Sequence, residues 1–123
     1  TFKLRPGVKF HEGQPLTMDD VEYSHEFMLD PKSNYRFQVT RINWVHEKHF
    51  EKIDATTFRL RSKEPMASLL GKLTNFPPIV PKHIHSKLEK KQAFGSTNAV
   101  GTGPMRVAEF STSTGTTLVK NPE

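Results

Sequence analysis

The first 24 residues, TFKLRPGVKFHEGQPLTMDDVEYS, constrain the fold more than any other part of the chain. Phe2 and Leu4 alternate with Lys3 and Arg5, the period of two expected of a strand with one buried face. Pro6-Gly7 breaks the run, because proline sets φ and glycine reaches backbone conformations that other residues avoid. Val8 and Phe10 alternate again, as a second short extended piece, before a break at Glu12-Gly13. A helix should follow Thr17. Its hydroxyl suits an N-cap, Asp20 stands three residues on as in a capping box, and Leu16 and Val21 have the spacing of a hydrophobic staple. Asp19 and Asp20 also place negative charge at the positive end of the helix dipole. The helix is expected from Met18 to about Leu29, with Val21, Ser24, Met28 and Leu29 towards a core. Asp30-Pro31 ends it, since the residue before proline is pushed out of the α region.

Pro31 to Asn34 reads as a loop, and Tyr35 to Phe50 settles on no single period. The sole tryptophan, Trp44, is read as packing the edge of a small core rather than as a ligand-stacking surface. Thr57 to Arg61 (TFRLR) repeats the opening pattern, with Phe58 and Leu60 inward and Arg59 and Arg61 outward. Asp54-Ala55-Thr56 before it fits a turn, so His46 to Ile53 and Thr57 to Arg61 should form a hairpin. Pro65 suits the first position of a helix to Leu73, on which Met66, Leu69, Leu70 and Leu73 make an apolar stripe suited to a core. Asn75-Phe76-Pro77-Pro78 closes it, and Pro81 is expected to open a brief helix through Lys87. Phe94 to Pro104 is polar, glycine-rich and irregular, and Met105 to Val119 reads as a hairpin about Thr114-Gly115. The expected fold is α+β: a small antiparallel sheet carrying Phe2, Leu4, Phe58 and Leu60 inward, with two or three helices.

The 123 residues suffice for one domain with a modest core, at 34% hydrophobic content and a mean hydropathy of −0.60. No apolar run approaches the ~20 residues needed to span a bilayer. The net charge of +5 suggests an anionic partner such as nucleic acid, the alternative function for a free-standing basic domain. Yet the cations are spread along the chain, and even the cluster Lys87, Lys90 and Lys91 holds Glu89; no aromatic residues interleave with them to stack bases. No nucleic acid is therefore expected as partner. The absence of cysteine excludes disulfides and thiolate metal sites. Two histidine pairs, His46 with His49 and His83 with His85, lack the further ligands of a metal centre, so no metal and no cofactor are expected. Asp19-Asp20 are adjacent on a helix and cannot converge on one substrate atom, and no serine lies in a nucleophile motif. Nothing in the sequence points to an enzyme.

The motif F-x-L-R-x-G-V-x-F-H-x-G-x-P-L-T-x-x-D-V-x-x-S, met from Phe2 to Ser24, resembles the N-terminal motif of the family 5 extracellular solute-binding proteins, the dipeptide, oligopeptide and nickel receptors of bacterial ABC importers. Glu12 replaces the usual aspartate and Met18 a usually small residue. The resemblance continues through Lys63-Glu64-Pro65, Ile79-Val80-Pro81-Lys82-His83, Val100-Gly101-Thr102-Gly103-Pro104 and Lys120-Asn121-Pro122, with Met105 in place of the usual aromatic residue. It implies an inserted subdomain of the first lobe of a two-lobed periplasmic binding protein, residues 1–123, with 100–123 as strands returning to the main lobe. It also implies a longer protein whose signal peptide lies outside this stretch, working in the periplasm or anchored outside the membrane. The implied partners are a peptide or other small solute and the membrane subunits of an ABC importer, the fragment itself being monomeric. Gly101, Thr102 and Gly103 are the candidates nearest the ligand.

Overall fold

The computed structural model describes residues 1–33, 45–73, 78–89, 94 and 99–122, with the backbone alone for His46 and Glu47. Trp44, the undecided run before it, Asn75-Phe76-Pro77, and Lys90 and Lys91 of the basic cluster lie outside the described residues. The chain divides into two compact units, Thr1–Pro6 with Thr17–Ile79, and Gly7–Leu16 with Val80–Glu123. It therefore passes from one to the other three times, after Pro6, Leu16 and Ile79.

In the first unit the sheet follows from the two related pentapeptides. β1 (Phe2–Lys3) and β2 (Val45–Lys52) flank β3 (Thr57–Ser62) in the order β1-β3-β2, all antiparallel. Phe2 pairs with Phe58 and Phe50 with Leu60, so these four share one face, while Lys3, Glu51, Arg59 and Arg61 take the other. Phe58 is buried and stacks on Phe2 at 5.3 Å and on Phe50 at 5.2 Å. The Leu4 amide donates to Thr56 O at 2.7 Å, carrying the edge pairing just beyond β1. Asp54 accepts the N–H groups of Thr56 and Thr57, forming the expected turn between β2 and β3.

α1 spans Met18–Leu29, as its boundary residues predict. Asp20 accepts from the Thr17 N–H at 2.9 Å and from the Thr17 hydroxyl at 2.6 Å, closing the capping box. Val21, Ser24 and Met28 are buried, Leu29 is half-buried, and His25 joins the core. The His25 ring lies 4.7 Å from His49 and 5.7 Å from Phe50 on β2. Lys52 pairs with Asp19 at 2.8 Å on the exposed rim.

Three elements differ from expectation. Pro31–Ser33 is one turn of 3-10 helix rather than open loop, because Asp30 accepts the Ser33 N–H at its carbonyl and the Lys32 N–H at its carboxylate. Val8 to Phe10 is not a strand. It makes a single bridge, Lys9 to Pro15, since proline has no N–H with which to extend a ladder. The second main helix, α2, covers only Leu69–Leu73, preceded by a turn in which the Leu69 N–H meets Met66 O. None of its residues is buried, and Leu70 is 75% exposed. A stripe declares a face, but burial needs something to cover it.

The second unit holds the tight loop Val8–Leu16, a short helix α3 (Lys82–His85) and the hairpin of β4 (Met105–Ser111) and β5 (Gly115–Lys120). Gly115, at φ +97, makes the hairpin turn that only glycine adopts readily. A register shift after Val107 brings Phe110 onto the face that already carries Met105, Val107 and Leu118. Three of these four are conspicuously open to solvent, Met105, Phe110 and Leu118.

Candidate functional site

The site lies in the second unit and starts from a turn. Phe10 is fully buried, with its ring edge-on to His83. Its carbonyl accepts the Gly13 N–H at 2.8 Å and its own N–H donates to Gln14 O at 2.8 Å. Gly13, at φ +88, lets the chain reverse within these few residues. His11 is thereby held at the tip of the loop, next to the anchored Phe10.

From that tip His11 grips the glycine-rich segment through three bonds. Its backbone N–H donates to Gly101 O at 2.9 Å, and the Gly101 N–H donates to His11 Nδ1 at 3.2 Å. His11 Nε2 lies 3.2 Å from Gly103 O. A backbone N–H can only donate, so Nδ1 is the bare nitrogen and Nε2 carries the proton that Gly103 O accepts. The two ring bonds thus assign one tautomer. Asn121 completes the clamp: its side-chain amide donates to Gly103 O at 3.0 Å and its backbone N–H to Pro104 O at 2.9 Å. Asn121 is itself buried.

The clamp takes up the carbonyls of Gly101, Gly103 and Pro104 and the N–H of Gly101. Thr102 stands exposed between the two glycines, and among the described residues nothing accepts from the Thr102 or Gly103 N–H. Beside the segment lies an open cavity of about 250 Å³, lined by His11, Phe94, Val100, Gly101, Met105 and Val107. Its walls are apolar but for the imidazole. On the far side of the loop tip Glu12 pairs with His83 at 3.0 Å.

A second depression of about 470 Å³, in the first unit, is lined among the described residues by Lys48, Phe50, Glu51 and Arg61. Two of its polar groups, Glu51 and Arg61, bond each other. Glu51 accepts from Arg61 at 2.6 Å and from Arg59 at 3.1 Å, and the Arg61 hydrogen bond holds its carboxyl below the usual carboxylate range. It offers a ligand less than the glycine segment does.

Of the three residues expected nearest a ligand, Gly101 and Gly103 are brought together by one imidazole and Thr102 is left presented between them. Sequence reasoning missed His11 and Asn121. Both fall in motifs that it singled out, but their partners are distant in the chain, 90 residues away for His11, and no local pattern pairs them. Among the described residues no three His, Asp or Glu side chains gather as metal ligands. No helix among them is long and apolar enough to cross a membrane.

Comparison with known proteins places this geometry. The family of bacterial extracellular solute-binding proteins, family 5 Middle, matches residues 1–123. Protein XP55 of Streptomyces lividans is 36% identical over 104 residues, covering 85% of this chain and 18% of its own length. The oligopeptide-binding protein OppA of Bacillus subtilis is 29% identical, covering 100% of this chain and 25% of its own. Among solved structures, MoaA of A. tumefaciens in complex with mannopinic acid superposes with a TM-score of 0.79 at 33% identity, covering 98% of this chain and 24% of that one. The chain thus spans about a quarter or less of the length of these relatives.

Proposed function

The chain belongs to the bacterial extracellular solute-binding proteins of family 5, and from that premise we propose that it is part of a receptor delivering peptides, or a related solute, to an ABC importer. The observation that carries this reading is the family match over the whole of residues 1–123, joined by a relative named for oligopeptide binding. The rival, a free-standing basic domain for an anionic partner, rests on net charge alone. On our reading the receptor works in the periplasm or tethered outside the membrane, with the importer's membrane subunits as partners, and this part of it is monomeric.

Gly101, Thr102 and Gly103 are the part of this chain nearest the solute. Neither glycine needs a positive φ, and a Cβ at either position would meet nothing closer than 3.7 Å. Among the described residues nothing requires their bareness, and close approach by an outside group is a common use of glycine. Residues 100–123 act as strands returning to the main lobe, and the exposed face of Met105, Phe110 and Leu118 is surface for the rest of a longer protein to cover.

Calorimetric titration with a pool of synthetic di- to pentapeptides tests the reading. The full-length receptor should bind members of the pool at micromolar affinity or better. This chain alone should reach at best about millimolar, because half a cleft leaves most of a ligand in water while association still costs several kcal/mol. Tight binding by this chain alone, or none by the full receptor, overturns the reading.

A further inference from the structure

The clamp separates main-chain groups that are used from main-chain groups that are spare. His11 and Asn121 consume the carbonyls on either side of Thr102 and the N–H of Gly101. Two consecutive donors, the N–H groups of Thr102 and Gly103, have no acceptor among the described residues. They belong to a segment whose backbone is fixed at four points, so they are held rather than free to turn away. Gly103, one of the two, and Gly101 before them carry no Cβ to keep an approaching group at a distance. The open depression that adjoins the segment at Gly101 is lined mainly by apolar side chains, surface on which the rest of a bound group could rest.

We propose that the Thr102 and Gly103 N–H groups bind an oxygen of the solute, a main-chain carbonyl or a terminal carboxylate of a peptide, and that His11 and Asn121 are the positioning residues that aim them. Successive backbone N–H groups form the concavities in which proteins hold such oxygens. Donors fixed beforehand also spare the ordering cost that a mobile loop would pay on binding. The tautomer is part of the device: only an imidazole with Nδ1 bare and Nε2 protonated satisfies both glycines at once. The titratable groups Glu12 and His83, on the same loop and on α3, lie 3.0 Å apart and face each other.

This inference rests on the peptide-receptor reading above, and the experiment separates the two. Affinities for the same peptide pool are measured on the full-length receptor with His11→Ala and His11→Asn, together with amide exchange at Gly101, the amide NMR shifts of Thr102 and Gly103 and the ring-nitrogen shifts of His11. His11→Ala should weaken binding about tenfold or more and speed Gly101 exchange, as expected for loss of preorganised donors. His11→Asn should recover part of both, since its side-chain oxygen can accept the Gly101 N–H. In the wild-type receptor the Thr102 and Gly103 amide protons should move downfield when peptide is added, as expected of donors that gain an acceptor. The ring shifts should report a single tautomer protonated on Nε2. Undiminished binding by His11→Ala, in a receptor that binds peptide, overturns this contact while leaving the function standing. Thr102 and Gly103 amide resonances unmoved by bound peptide overturn the assignment to main-chain donors. A wild-type receptor that binds no peptide overturns the function and this contact together.

Discussion

The two units of this chain are held by different physics. The first is organised by burial: Phe58 between Phe2 and Phe50, and a capped helix laying Val21, Ser24 and Met28 inward. Most of its decisive bonds are local, the Thr17–Asp20 box and the Asp54 turn among them. Among the described residues the second has fewer deeply buried side chains, with Phe10 and Pro81 the largest, and its hairpin shows apolar residues to solvent. What orders its glycine segment is a set of polar bonds from residues distant in sequence. A core fixes where atoms cannot go, whereas a clamp of named donors and acceptors fixes where particular groups point. The second device is the one a binding segment requires.

The contrast can be broken most forcefully at Phe58. Phe58→Ala should cost about 3–5 kcal/mol, the range for removing a buried aromatic side chain, read as a lower urea midpoint for the first unit. A cost under 1 kcal/mol would show that the stack is not its core. Asn121→Ala leaves the buried hydrogen bond to Gly103 O unmade and should cost about 1–2 kcal/mol. Hydrogen exchange should place that loss in the glycine segment and not in α1; a uniform loss would erase the distinction drawn here. Thr17→Ala should cost about 1 kcal/mol and fray the first turn of α1, visible as faster exchange near its start.

The smallest effect concerns acid. The Thr56 N–H bond and its companions lower the Asp54 carboxyl below its ordinary value, as the Arg61 bond lowers that of Glu51. Groups depressed in the folded state add stability that is present above the unfolded carboxylate range of about pH 4 and is lost as pH falls through the folded value. Both side chains are exposed, so the slope should be shallow. Asp54→Asn should flatten it in urea melts taken between about pH 5 and pH 2. An unchanged slope would remove Asp54 from the account.

What could be read from the residues was whatever local chemistry decides. α1 begins and ends where Thr17, Asp20 and Pro31 dictate, and the β2–β3 and β4–β5 hairpins turn where Asp54 and Gly115 dictate. The Met66, Leu69, Leu70 and Leu73 stripe shows the limit of that reading. Periodicity names a face without naming its cover, so a large cost for Leu69→Ala no longer follows for a half-buried leucine. The candidate site was half legible. Gly101 to Gly103 stood out by composition, but the imidazole that holds them could be matched to them only once the chain had folded.

That separation has a consequence for how the protein is made. His11 leaves the ribosome 90 residues before Gly101. At bacterial synthesis rates of roughly 5–20 residues per second, the wait is about 5–18 s. Thr17–Ile79 is complete well within that interval and can collapse on its own sheet and helix. Phe10, fully buried in the finished protein, must meanwhile remain without much of its eventual surroundings. The nascent chain therefore carries an incompletely covered phenylalanine for seconds, the kind of surface that chaperones grasp, and the glycine segment can close only after that wait.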